Sequence, residues 1–187
     1  MGTVLKVVLI VLIILVVGYF ISTYNKLIKE RLKVDNQWSQ IDIVLKQRND
    51  TIPNLMNAVS GYASYEKDLF YEITEARKRY GNAKDIDQSV QAAADLSKCI
   101  DRLFAIAENH PEIKANTNFM DLQNQISFLE AKIADFRQFY NDTVMRYNRL
   151  VFTFPSNLIA KVTGFKERKF FHVEEKDKSV PEVNFNN

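Results

Sequence analysis

The side chains able to do chemistry are scattered through these 187 residues without converging. The two histidines, His110 and His172, stand beside Pro111 and in the C-terminal tail, and neither forms a metal-ligand motif with a carboxylate or cysteine. Cys99 is the only cysteine, which excludes an intrachain disulfide; with Leu96, Ile100 and Leu103 around it on a helical pattern, it reads as a small buried apolar residue. Glu66, Glu72, Glu75, Glu108 and Glu130 fall on helices, but a di-metal bundle also needs Glu-x-x-His pairs, and no Glu has His three residues on. A phosphate-cradling glycine loop, CxxC, HExxH and an EF-hand loop are all missing. The sequence therefore assigns no catalytic, cofactor-binding or metal residue and leads us to expect a non-enzyme. A hydrolase acting on membrane or wall components, the rival reading, would require a cleft of carboxylates with shifted pKa values. Net charge of +2 supplies no field for nucleic acid.

More informative are polar residues next to apolar helix faces. Arg48 fills one position of an apolar seam, Asp50 follows it, and Glu130, Arg137 and Asn141 lie on the last long helix. A buried charge needs a partner, so ion pairs and hydrogen bonds between helices are expected here, fixing their register. The charged run Glu75-Ala-Arg-Lys-Arg79 reads as a solvated face.

The element that must position these groups is the stretch Trp38–Tyr62. Trp38, Ile41, Leu45, Ile52, Leu55, Val59 and Tyr62 recur in steps of three and four, with Arg48 at the vacant seam position. This is one face of an α-helix, and Tyr24, Leu27 and Val34 keep its phase upstream. Pro53 removes one backbone hydrogen bond and crowds the carbonyl of Asn49, predicting a kink rather than a break, because the apolar phase survives it.

Val4 to Ser22 is almost wholly apolar, interrupted by Lys6, Gly18 and Tyr19. It is long enough to span hydrocarbon, with Lys6 reaching the interface, and no small-x-small site suggests cleavage as a signal peptide. Lys26, Lys29, Arg31 and Lys33 follow the span whereas Lys6 precedes it. That excess predicts an external amino terminus and a cytoplasmic soluble part.

Five glycines and four prolines in the whole chain favour long helices with few turns. Gly61 and Ser64 offer a stop and a new cap, so helices of about Lys26–Ser60, Tyr65–Tyr80, Asp87–Asn109 and Asn118–Phe154 are expected, the last capped by Asn118 or Thr117. The competing reading runs one helix from Tyr24 through Leu69, Ile73 and Ala76 to Tyr80. After Phe154-Pro155, Ser156–Val162 forms a short helix stopped by Gly164. Phe165-Lys-Glu-Arg-Lys-Phe-Phe171 then either packs its rings on the bundle or presents them with Lys166, Arg168 and Lys169 to lipid headgroups. Glu174 to Asn187 is charged and expected to be extended.

Trp38-Ser-Gln-Ile-Asp42, Leu45-Lys-x-Arg48-x-Asp50-x-Ile-Pro53-Asn54-Leu55, Gly61-Tyr62, Thr74-x-Ala76-Arg77 and Ala107-Glu108-x-x-Pro111-x-x-Lys114-Ala115-Asn116 resemble the LemA family. The likeness continues through Phe119-x-x-Leu122-Gln123, Glu130-x-x-Ile133, Arg137-x-x-Tyr140-Asn141, Tyr147-Asn148, Phe154-Pro155 and Pro181-x-Val183-x-Phe185. His110 departs from the Tyr usual in the family before the proline. The resemblance implies a single-pass bacterial membrane protein with an antiparallel helical bundle, and supplies neither catalytic residues nor a cofactor. The expectation is an all-α chain: a transmembrane anchor over 1–23, an up-and-down four-helix bundle over 24–165, and a tail over 166–187. Its expected role is that of a non-enzymatic adaptor or scaffold, touching lipid through its anchor and binding protein partners or its own copies. The alternative is a sensory accessory that relays membrane-proximal change through the helix kinked at Pro53.

Overall fold

The computed structural model describes residues 2–61 and 67–171. Its elements are α1 (Gly2–Ser60), α2 (Lys67–Gly81), α3 (Ile86–Glu108), α4 (Pro111–Lys114), α5 (Thr117–Phe152) and α6 (Ser156–Val162). The all-α expectation holds. The described residues divide into two compact units: residues 2–61 with 110–171, and residues 67–109.

In the first unit α1 is a single helix of 59 residues, about 90 Å long. Its N-terminal stretch is long and apolar enough to cross a membrane, and residues 2–22 are all exposed. Burial begins at Thr23 and Leu27, then follows a seven-residue repeat through Val34, Ile41, Arg48 and Leu55, with Leu45, Ile52 and Val59 on the adjoining row. On α5, Phe119, Ile126, Ile133, Tyr140 and Tyr147 are buried at the same interval. Seven-residue repeats on both partners keep one seam facing the other helix along its length. Pro53 lies inside α1, which continues to Ser60 and ends there, so the separate-helix reading at Gly61 holds over a single helix to Tyr80. The expected cap at Ser64 lies outside the described residues.

Asn116 caps α5, its side-chain oxygen accepting from the backbone N–H groups of Asn118 (3.0 Å) and Phe119 (3.3 Å). This corrects the expected cap at Asn118 or Thr117. The displacement follows from α4, a four-residue turn opened by Pro111, which leaves Asn116 as the last residue with extended backbone. At the far end Pro155 has no N–H to continue the ladder and disfavours helix at Phe154, so α5 stops at Phe152. α6 closes on Gly164, whose φ of +77° lies in the left-handed region, and the Phe165 N–H reaches the Ala160 carbonyl at 2.9 Å.

The second unit is a helical hairpin. Asp85 caps α3 by accepting from the Gln88 N–H at 2.8 Å. Arg79 pairs with Asp95 at 3.0 Å and Arg102 pairs with Glu72, so stepping up α2 matches stepping down α3. Leu69, Ile73 and Ala76 face inward from α2, and Ala92, Ala93, Leu96, Ile100 and Leu103 from α3. The alanines allow the helices to approach closely.

Ile52 and Leu55 are fully buried. Replacing either with Asp strands a carboxylate in the seam and is expected to cost about 4 kcal/mol or more, measured as loss of cooperative unfolding in denaturant titrations. Gly164→Ala forces a Cβ into left-handed backbone and should cost about 1 kcal/mol in the same measurement.

Candidate interaction site

The polar residues singled out in the sequence meet on the first unit, along the seam between α1 and α5. Arg48, with 1% of its side chain exposed, pairs through Nη1 with Glu130 Oε1, whose side chain is 34% exposed. An arginine can occupy a seam position because its carboxylate partner reaches it from the helix edge while remaining in touch with water. Arg137, about two turns further along α5, lies 4.6 Å from the centre of the Phe171 ring. Burial lowers the pKa of its guanidinium, the charge of Glu130 partly restores it, and the charge of Arg48 adds to the lowering. Asp50 faces solvent.

The main feature of this face is residues 165–171, which run extended along α5 in the opposite direction to it. Two Tyr-Asn pairs, Tyr140-Asn141 and Tyr147-Asn148, hold this strap through its backbone. Asn148 accepts from the Arg168 N–H at 2.9 Å and donates to the Arg168 carbonyl at 2.8 Å. Asn141 makes the same two-way contact with Phe171, at 2.7 and 3.2 Å. The hydroxyls of Tyr147 and Tyr140 donate to the carbonyls of Lys166 (2.8 Å) and Lys169 (3.2 Å). The spacings agree because seven helical residues advance about 10.5 Å and three extended residues about 10 Å. Each repeat on the helix therefore meets the next equivalent backbone group on the strap.

The strap's own side chains fill the other edge against α1. Phe165 meets the Tyr24 ring edge-on at 5.9 Å and lies 5.4 Å from the Arg31 guanidinium. Arg168 pairs with Asp35 at 2.9 Å. Phe171, 6% exposed, meets Trp38 at 6.4 Å, and Trp38 meets Tyr140 at 6.0 Å. Phe165 and Phe171 thus pack on the unit, whereas Phe170, Lys166 and Lys169 face outward. Of the expected polar layer, Arg48, Glu130, Arg137 and Asn141 come together here. Tyr140 and Tyr147 keep the seven-residue apolar spacing of α5, and that spacing gives no role to their hydroxyls, to Asn148 or to Asp35; the available signal is the Tyr-Asn pair repeated at seven residues.

The remaining chemical candidates lie apart. In the second unit, Tyr71, Glu72, Glu75, Arg79, Asp95, Lys98, Cys99 and Arg102 line an open groove. Its carboxylates Glu72 and Asp95 are paired with arginines, and Glu75 with Lys78 at 2.7 Å. The Cys99 thiol is pushed up in pKa chiefly by burial and further by Glu72, which suppresses the thiolate. His110 is half-buried, with Nδ1 3.5 Å from Glu112. His172 and Glu66 lie outside the described residues. Among the described residues no three His, Cys, Asp or Glu side chains converge as a metal site.

These features define a class: a membrane-associated helical protein whose polar residues hold its own chain together. The LemA family profile matches residues 37–185, and the chain belongs to the LemA family. It is 24% identical over 168 residues to Protein LemA of Metamycoplasma hominis, covering 87% of this chain and 76% of that protein. It is 21% identical to the magnetosome protein MamQ of Magnetospirillum gryphiswaldense, covering 82% of this chain and 67% of that one. With MamQ 2 of Paramagnetospirillum magneticum the identity is 22%, covering 87% and 71%.

Glu130→Ala leaves the buried Arg48 charge without this carboxylate and should cost about 3 kcal/mol. Arg48→Met, which removes the charge and keeps the volume, should cost less; denaturant unfolding of both variants checks the order. A second expectation concerns alkaline pH. Burial raises the Tyr147 pKa from the ordinary value of 10.0, with Asp35 adding to it and Arg168 and Arg31 opposing. A raised folded-state value means the neutral phenol is favoured by folding. Its stabilisation is therefore full below pH about 10 and is lost as pH rises through the higher folded value. Tyr147→Phe should remove that part of the alkaline loss, read from unfolding curves across the range.

Proposed function

We propose that this protein is a non-enzymatic adaptor or scaffold, anchored by α1 and carrying its helical units on the cytoplasmic side. The observation that carries this reading is the use made of the polar side chains along the α1–α5 seam. Tyr140, Asn141, Tyr147 and Asn148 are bonded to backbone atoms of the strap, and Arg48 to Glu130. These groups build a rigid surface close to a membrane. Phe128 and Phe139 are exposed on α5 eleven residues apart, which is about three helical turns and hence one face. Lys132 lies 4.6 Å from the Phe128 ring on that face. Rings beside a cation offer a surface for a protein partner or a second copy. The cytoplasmic placement is supported by Lys26, Lys29, Arg31 and Lys33 following the apolar span, and a role on a membrane accords with relatives named as magnetosome proteins.

A second reading is a sensory accessory. It is favoured by one observation, the continuity of α1 from its apolar stretch past Pro53 to Ser60. A displacement at the membrane end would be transmitted along the same rod.

Photo-crosslinking in cells from positions 128 and 139 tests the adaptor reading. The expected result is reproducible capture of one membrane or regulatory protein, or of the chain's own copies, with the capture from position 128 abolished by Phe139→Asp. Crosslinks to lipid alone, or none at either position, would contradict it.

A further inference from the structure

The chain reverses direction at the α5–α6 corner, and the register of the helices fixes where that corner lies. Trp38 faces Tyr140 at 6.0 Å and Arg48 pairs with Glu130, so ten residues along α1 match ten residues back along α5. The same step carries Phe152 to the level of Lys26 and Phe154 to the level of Tyr24. Two independent contacts agree: α6 packs on α1, and Phe165, just past the corner, meets Tyr24 at 5.9 Å. Thr23 is the first buried residue of α1, and residues 2–22 before it are all exposed. The corner therefore sits about 5 Å, one helical turn, from Ile21, where the apolar run ends.

At that level the corner turns large apolar side chains outward. Phe152 is 62% exposed, Phe154 74%, Leu158 56% and Val162 80%, while Ser156, Ile159 and Ala160 form the inward face of α6. Between Asp142 and Glu167 the sequence has no acidic residue, but it has Arg146, Arg149, Lys161 and Lys166. Exposed Lys26 of α1 stands at the same height, and exposed Lys29 about one turn further from the apolar run. Apolar side chains rimmed by cations are what an interfacial segment presents to acyl chains and phosphates.

We propose that the α5–α6 corner is a second membrane contact, a foot on which the first unit stands in the lipid interface beside the emerging α1. Phe152, Phe154, Leu158 and Val162 enter the acyl boundary, and Lys161 and Lys166 meet anionic headgroup phosphate. With two contacts the first unit keeps one orientation to the bilayer instead of swivelling on α1. The proposal rests on α1 crossing the membrane.

The test uses the full chain, with Cys99→Ala, in vesicles of phosphatidylethanolamine and phosphatidylglycerol. Nitroxides are attached one at a time through Leu158→Cys, Val162→Cys, Gln138→Cys and Leu12→Cys, and collisions with oxygen and with a water-soluble nickel chelate are compared. The foot predicts that probes at 158 and 162 lose nickel collisions and keep oxygen collisions, while 138 stays accessible to nickel. Nickel access at 158 and 162 equal to that at 138 would overturn it. Loss of both collision partners there would mean cover by protein, such as a second copy, and would also overturn it. A nickel-accessible probe at 12 would overturn the anchor itself and the foot with it, whereas a lipid-buried probe at 12 confines any failure to the foot.

Discussion

An extended segment cannot satisfy its own backbone N–H and C=O groups, and when it lies against a protein surface something else must. Here that requirement falls on four side chains of α5. Asn141 and Asn148 each supply both a donor and an acceptor to one strap residue, and Tyr140 and Tyr147 each supply a donor to a strap carbonyl. The agreement between a seven-residue helical step and a three-residue extended step lets the same pair of side chains work twice. Because the bonds go to backbone atoms, the strap's side chains are released for the other edge, where Phe165, Arg168 and Phe171 reach Tyr24, Asp35 and Trp38 of α1. The strap thus ties the last described residues to both long helices of the first unit, α1 and α5.

The same arrangement accounts for charge in the seam. Arg48 occupies a fully buried position and depends on Glu130 at the helix edge, while Arg137 is covered by Phe171. Hydrogen-bonded polar groups within a seam specify register, since a shifted pairing would leave them buried without partners. For a helix that also serves as membrane anchor, register has a consequence at the far end. It sets the height of the α5–α6 corner relative to the apolar run of α1.

Much of this was legible in the sequence. The spacing of Ile41, Leu45, Ile52, Leu55 and Val59 gave the buried face of α1 because hydrophobic period survives whatever the partner is. Arg48 and Glu130 stood out because charge in such a pattern demands a partner, and Gly61 and Gly164 marked helix ends through backbone preference alone. The strap's attachment was not legible. Residues 165–171 have no hydrophobic period of their own, and Tyr140 and Tyr147 fit the seam equally well with or without a use for their hydroxyls. The α5 cap is not legible either, because Asn116, Thr117 and Asn118 can all cap, and only the short turn at Pro111–Lys114 decides among them.

The central claim is that α5 side chains, through the strap's backbone, hold residues 165–171 in place. Residue-resolved amide hydrogen exchange on the full chain in a bilayer tests it most directly, comparing the native protein with Asn141→Ala and Asn148→Ala. The account predicts slow exchange at the Arg168 and Phe171 amides, lost at Phe171 in the first variant and at Arg168 in the second, with protection in the middle of α1 and α5 retained. Fast exchange of both amides in the native chain, or protection that survives both substitutions, would contradict it.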